Sequence, residues 1–210
     1  MTPAEQQQDL IVLAADLSMQ VALQAVLRRH HSLGIREISF KVIQQPNYDT
    51  AFLQSGHLTL RSQSRNYRHA LAVCDRHGCA KSGLPRERLE AMLEKRLENH
   101  WSNRAAAIVI DPELENWMWA DSPHVAEALG WQGGMSALWT WLRNEGLLAE
   151  GQAKPANPQA ALHKALRLKN KRRSSSLFKD LASKVSLHAC IDPAFLKLRS
   201  ILQGWFPPDA

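Results

Sequence analysis

The sequence predicts an α/β protein: a mainly parallel, Rossmann-like sheet flanked by helices, followed by a helical, basic C-terminal section. Three observations predict it. Leu10–Leu13, Leu71–Cys74 and Ala107–Ile110 are short apolar runs without polar alternation, as strands buried on both faces require. Segments of helical period lie between them, the alternation that builds parallel sheets. Each run also closes on acid: Asp16, Asp75, and Asp111 with Glu113 and Glu115.

In chain order, Met19, Leu23, Val26, Leu27 and His30 recur at helical spacing after the first run. Asp16 or Ser18 stands at the cap position and Gly34 follows as a stop. Ile38, Phe40 and Val42 alternate with Ser39 and Lys41, which predicts a half-buried strand near a sheet edge. Residues 44–56, with Pro46 and Asn47, read as a loop with room for a short helix. The polar stretch 61–68 leads into the second buried strand, and 79–83 form another loop. Pro85 suits the first position of a helix in which Leu89, Leu93, Leu97 and Trp101 repeat along one face, running to about His100.

After the third buried strand, Asp111-Pro112 reads as cap and first turn of a helix whose inner face holds Leu114, Trp117 and Met118. Asp121-Ser122-Pro123 opens the next, with Asp121 as a buried capping carboxylate and Gly130 as its end. Residues 131–134 read as a turn, 138–148 as a short helix and 151–158 as a linker or long loop. The last helix has Asp192 as cap, Pro193 in first position, Phe195, Leu198 and Leu202 inward, and Gly204 as stop. These elements divide into an α/β domain over 1–150 and a basic helical section over 151–210, packed on or beside it.

The chain's 210 residues have room for one such domain and an appendage, and 45% hydrophobic with 22% charged residues is ordinary for a soluble protein. No apolar stretch approaches the roughly 18 residues needed to cross a bilayer. The N-terminus lacks the basic start and apolar core of a signal peptide. Cys74, Cys79 and Cys190 have no framework spacing, so reduced thiols in a cytoplasm are expected. The net charge of +6 is uneven: residues 1–150 hold 15 Lys/Arg against 17 Asp/Glu, and residues 151–210 hold 11 against 3. A basic tail on an acidic domain suggests a nucleic-acid partner, contacted through Lys169, Lys171, Arg172 and Arg173. A solvated helix face is the plainer alternative. The seven tryptophans are expected to fill core and interdomain space rather than stack on bases.

If the three buried strands are neighbours, Asp16, Asp75, His77, Glu113 and Glu115 gather at the carboxyl edge of the sheet, where ligands bind in such folds. Hard cations take oxygen ligands, so Asp16, Asp75 and Glu113 are candidate Mg²⁺ ligands. Asp75, His77, Glu113 and Glu115 are candidate catalytic groups. Helix capping competes for Asp16 and Asp111. In a regular first turn Glu113 and Glu115 would be about 200° apart, so only one would face the site. Cys74, Cys79, His69 and His77 lack the paired spacing of a structural zinc site.

The order strand–acid–helix, then Asp75-Arg76-His77-Gly78, then a strand followed by Asp111-Pro-Glu-Leu-Glu-Asn-Trp-Met-Trp-Ala-Asp121, resembles the TOPRIM-like proteins of bacterial defence and DNA-processing operons. The closest type is the small stand-alone relatives of the nuclease half of overcoming-lysogenization-defect enzymes. The resemblance covers roughly residues 9–125 and implies a compact sheet, a Mg²⁺ site, a role in antiviral defence, and nucleic acid or other defence proteins as partners. Two positions depart from the family pattern. Ala14-Ala15-Asp16 has no Glu after the first strand, and Asp75-Arg76-His77 stands where the family has Asp-x-Asp. Two functions are therefore expected. One is an accessory TOPRIM-like protein that binds nucleic acid or partner proteins without catalysis. The other is a Mg²⁺-dependent nuclease acting on phosphodiesters, with Asp75 on the metal.

Overall fold

The computed structural model describes residues 7–46, 52–79, 81 and 83–209. Among these, four parallel strands form one sheet in the order β2-β1-β3-β4. They are β1 (Gln8–Ala14), β2 (Phe40–Gln44), β3 (Tyr67–Asp75) and β4 (Ala105–Ile110). The three apolar runs predicted as buried strands are β1, β3 and β4, and Leu10–Leu13, Leu71–Cys74 and Ala107–Ile110 are all essentially inaccessible. The alternating segment 38–42 supplies β2, at the sheet edge as expected and shifted toward the C-terminus. In register, Ala14 lies between Gln44 and Val73, and Asp75 lies opposite Ile110.

Strand order sets the layers. Parallel crossovers are right-handed, so stepping from β1 to β2 and then back through β3 to β4 puts helices on both faces. Helix α1 (Leu17–Leu27) packs on β1 and β2, and the short α2 (His30–Leu33) ends at Gly34 in a left-handed conformation. On the other face, α3 (Phe52–Arg61) and α4 (Arg86–Trp101) pack together against β1, β3 and β4. Leu89, Leu93, Leu97 and Trp101 form the buried stripe of α4. Pro85 is its cap rather than its first residue. The predicted loop 44–56 falls partly outside the described residues, and α3 begins within it.

β4 is an edge strand whose outward N–H groups need partners. Helix α4 supplies them: Glu90 accepts from Val109 N–H at 3.0 Å and Glu94 from Ala107 N–H at 3.1 Å. Arg86 lies 2.9 Å from Glu90, and Lys197 lies 3.2 Å from Glu90 and 2.8 Å from Glu94. Lys197 belongs to α10 (Pro193–Trp205), which packs along β4. The cap is Asp192 with Pro193 first, as predicted, but the helix runs past Gly204 to Trp205.

Between β4 and α10 come α5 (Glu115–Met118), α6 (Pro123–Leu129), α7 (Gly134–Asn144), α8 (Pro158–Leu168) and α9 (Ser175–Lys184). Three predictions need correction here. The helix after β4 does not begin at Asp111-Pro112: that peptide bond is cis and the helix starts at Glu115. Asp121 is exposed, accepting a hydrogen bond from Trp139, and Ser122 is the N-cap residue of α6. The helix placed at 138–148 covers 134–144. Gly130 ends α6 as expected, in the left-handed region. Helix α9 lies along α1, fastened by Arg29, which donates to the Ala182 and Val185 carbonyls. No helix among the described residues is long and apolar enough to cross a membrane.

Candidate functional site

The carboxyl ends of β1, β3 and β4 form one rim, and the acids predicted there do lie along it. Backbone bonds continue past the strands: Ala15 N–H to Val73, Arg76 N–H to Ile110 and His77 N–H to Pro112. Each acid then takes a particular structural partner. Asp16 caps α1, accepting from Met19 N–H at 2.7 Å. Asp111 pairs with Arg76 at 2.7 Å. Glu113 accepts from Gln159 N–H at 3.0 Å, which places a carboxylate at the N-terminus of α8, where the helix dipole favours it. Its other oxygen is 3.8 Å from His77 Nδ1. Asp75 closes β3, with one carboxylate oxygen buried.

Glu115 has the deepest contact. Its side chain is 1% exposed and meets Arg173 Nε at 2.9 Å. Arg173 also reaches Ser18 Oγ at 3.4 Å and stacks its guanidinium on Phe178, 4.6 Å from the ring centre. Glu113 and Glu115 both turn inward, 6% and 1% exposed as residues, Glu113 lying before the helix and Glu115 being its first residue. Burial raises the Glu113 carboxyl above its usual range; Glu115 adds to this, while Gln159 N–H, His77 and Arg173 oppose it.

The rim acids are not arranged as one shared metal shell. Among the described residues no three His, Cys, Asp or Glu side chains come close enough to hold a metal ion. Asp16, Asp75 and Glu113 share the rim but are not gathered into one shell. Glu115, the most buried acid, already faces a guanidinium. The thiols of Cys74 and Cys79 share a hydrogen bond at 3.5 Å without forming a disulfide, and the Cys79 thiol also donates to the Asp75 carbonyl at 3.1 Å.

The basic stretch predicted to contact nucleic acid is a strap that leaves α8 and runs to the rim. Its residues divide by role. Lys169 lies over the Trp131 ring, 4.3 Å from its centre. Lys171 donates to the Ala128 carbonyl at the end of α6, and a Cβ on Gly130 would come within 2.9 Å of its Cε, so glycine there serves both helix end and strap. Arg173 is the rim clamp. Arg172 is exposed. Together with His163, Arg167 and Asn170, three of these residues, Lys171, Arg172 and Arg173, line an open concavity of about 360 Å³. Compared with protein-family models, curated proteins and solved structures, the chain matches none.

Sequence reasoning missed Arg167 and His163 as part of this concavity, although α8's one-turn spacing from 163 to 167 puts them on one face. It also missed the second role of Asp192, which accepts from Trp117 Nε1 and Asn116 Nδ2 besides capping α10. A separate cavity of about 210 Å³ lies between α1, α9 and residues 114–122. Its lining is predominantly apolar, with Val26, Met118, Phe178 and Leu181 among its walls, and it does not open onto the basic strap residues.

Proposed function

We propose that this protein binds the phosphate backbone of nucleic acid and does not cleave it. The observation that carries this reading is the convergence of Arg167, Lys171 and Arg172 around one open concavity, with Arg173, paired to Glu115, in its wall. Fixed cations gathered in this way attract polyanions and release their counterions. Four of the rim acids support the absence of catalysis: Asp16 and Glu113 hold helix N-termini, and Asp111 and Glu115 hold arginines. The family resemblance supports the same class of ligand, in the accessory role. Asp75 and His77 remain at the strand end, but no route to metal-activated water runs through residues spent on tertiary contacts.

Arg167 and Arg172 are the residues to change, because both are exposed while their neighbours also hold the fold. Arg167→Glu with Arg172→Glu is expected to weaken binding of a labelled oligonucleotide at least about tenfold near physiological salt, and to reduce the log–log salt slope by about 2. Fluorescence anisotropy across a salt series measures both. Parent protein incubated with DNA or RNA and Mg²⁺ or Mn²⁺ is expected to leave the substrate intact. Metal-dependent cleavage that disappears in Asp75→Ala would replace this reading with the nuclease.

A further inference from the structure

Near the basic concavity stands a pair of indoles, Trp131 and Trp141, packed on the edge of the core and only half-buried. Trp101 and Trp119 are fully buried, and the Nε1 atoms of Trp117, Trp119 and Trp139 have hydrogen-bond partners. Trp205, also half-buried, stacks on His69 at 4.4 Å between ring centres; Trp131 and Trp141 remain. They are half-buried, and among the described residues no hydrogen bond ties down either Nε1. Their rings face each other at 4.6 Å between centres, tilted by 50°. Lys169 holds its ammonium 4.3 Å above Trp131. Two residues on, Lys171 lines the concavity and reaches back to Ala128, three positions before Trp131. Aromatic pair and basic concavity are thus joined through one short strap.

We infer that the Trp131–Trp141 pair and the strap over residues 167–173 form a single binding site for single-stranded nucleic acid. This rests on reading the concavity as a phosphate site. An indole face beside a cation offers what an unpaired nucleotide presents: a base to stack and a phosphate to neutralise. A base entering over Trp131 displaces the Lys169 ammonium from the ring, and that ammonium is then free to meet the adjoining phosphate. In a duplex the bases are stacked on each other, so a duplex engages the strap alone.

The test compares a single-stranded oligonucleotide of about 16 nucleotides with a duplex of the same sequence. The proteins are the parent, Trp131→Ala with Trp141→Ala, and Arg167→Glu with Arg172→Glu. The tryptophan variant is expected to lose single-strand affinity at least about fivefold, the range of base–aromatic stacking, while duplex affinity stays within about twofold and the salt slope is unchanged. The arginine variant is expected to weaken both. Equal loss on single strand and duplex, or no loss on either, overturns stacking and leaves the phosphate site standing. If the parent binds neither nucleic acid, the phosphate reading itself fails. Should circular dichroism show the double alanine variant unfolded, parent indole fluorescence decides: single strand must quench it more than duplex at saturation. Equal quenching overturns the inference.

Discussion

Glu113 shows how a side chain that looks catalytic in sequence can serve as a fastening. Its residue type and its place after a buried strand were legible; its partner, the N–H of Gln159 forty-six positions away, leaves no local signal. The expectation that only one of Glu113 and Glu115 would face inward assumed a helix running from Asp111-Pro112, whereas the helix starts at Glu115. The Glu113 carboxyl is held above its usual range chiefly by burial. A folded value above the unfolded one means the folded protein holds the proton more tightly, so stability falls as pH rises from the unfolded value through the folded one. Glu113→Gln keeps an oxygen for Gln159 N–H and removes that loss. The variant is expected to be more stable than the parent at pH 7 and to lose its advantage below about pH 4, where both carry a neutral group. Urea midpoints over a pH series check this. A variant less stable than the parent at pH 7 would mean that the charge facing His77 and Arg173 outweighs burial.

At the level of elements, the hydrophobic pattern carried nearly all the information about which segments form the sheet. Runs such as Ala107–Ile110 cannot be covered on both faces except inside a layered fold. Pattern alone did not reveal that β4 is an edge, because an edge strand covered on both faces reads like a central one. What protects it is written in α4 as Glu90 and Glu94, four apart on one helix face, where the sequence reads only as a charged helix. Glu90 is 3% exposed and holds Val109 N–H, Arg86 and Lys197 together. Glu90→Ala strands a buried N–H and removes the partner of two cations, and is expected to cost about 2–4 kcal/mol. Glu90→Gln keeps the acceptor and is expected to cost less. Denaturant midpoints at unchanged slope measure the difference. Equal costs would show that charge, not the edge hydrogen bond, sets the role of Glu90.

For the whole molecule, charge counting located the basic residues in 151–210 but could not show that some of them turn inward. Arg173 and Glu115 are 58 positions apart, and only the folded chain joins them. The boundary near residue 150 was drawn from composition, a run of Gly, Pro and Asn, which marks a loop without saying what lies beyond it. Beyond it, Phe178 and Leu181 of α9 are buried along α1, and Leu198 and Leu202 of α10 are buried along β4. Trp119 Nε1 donates to the Pro158 carbonyl, and Lys197 closes the β4 edge. Residues 1–150 alone would return those apolar faces to water, at about 25 cal/mol for each Å², and would take from Glu115 the guanidinium it faces. Typical stabilities of roughly 5–15 kcal/mol leave little to spare. The full chain is therefore expected to unfold in one cooperative urea transition, with far-UV circular dichroism and tryptophan fluorescence coincident. The fragment 1–150 is expected to show no cooperative transition. Two separated transitions in the full chain, or a cooperative one in the fragment, would make 151–210 an appendage rather than part of the core.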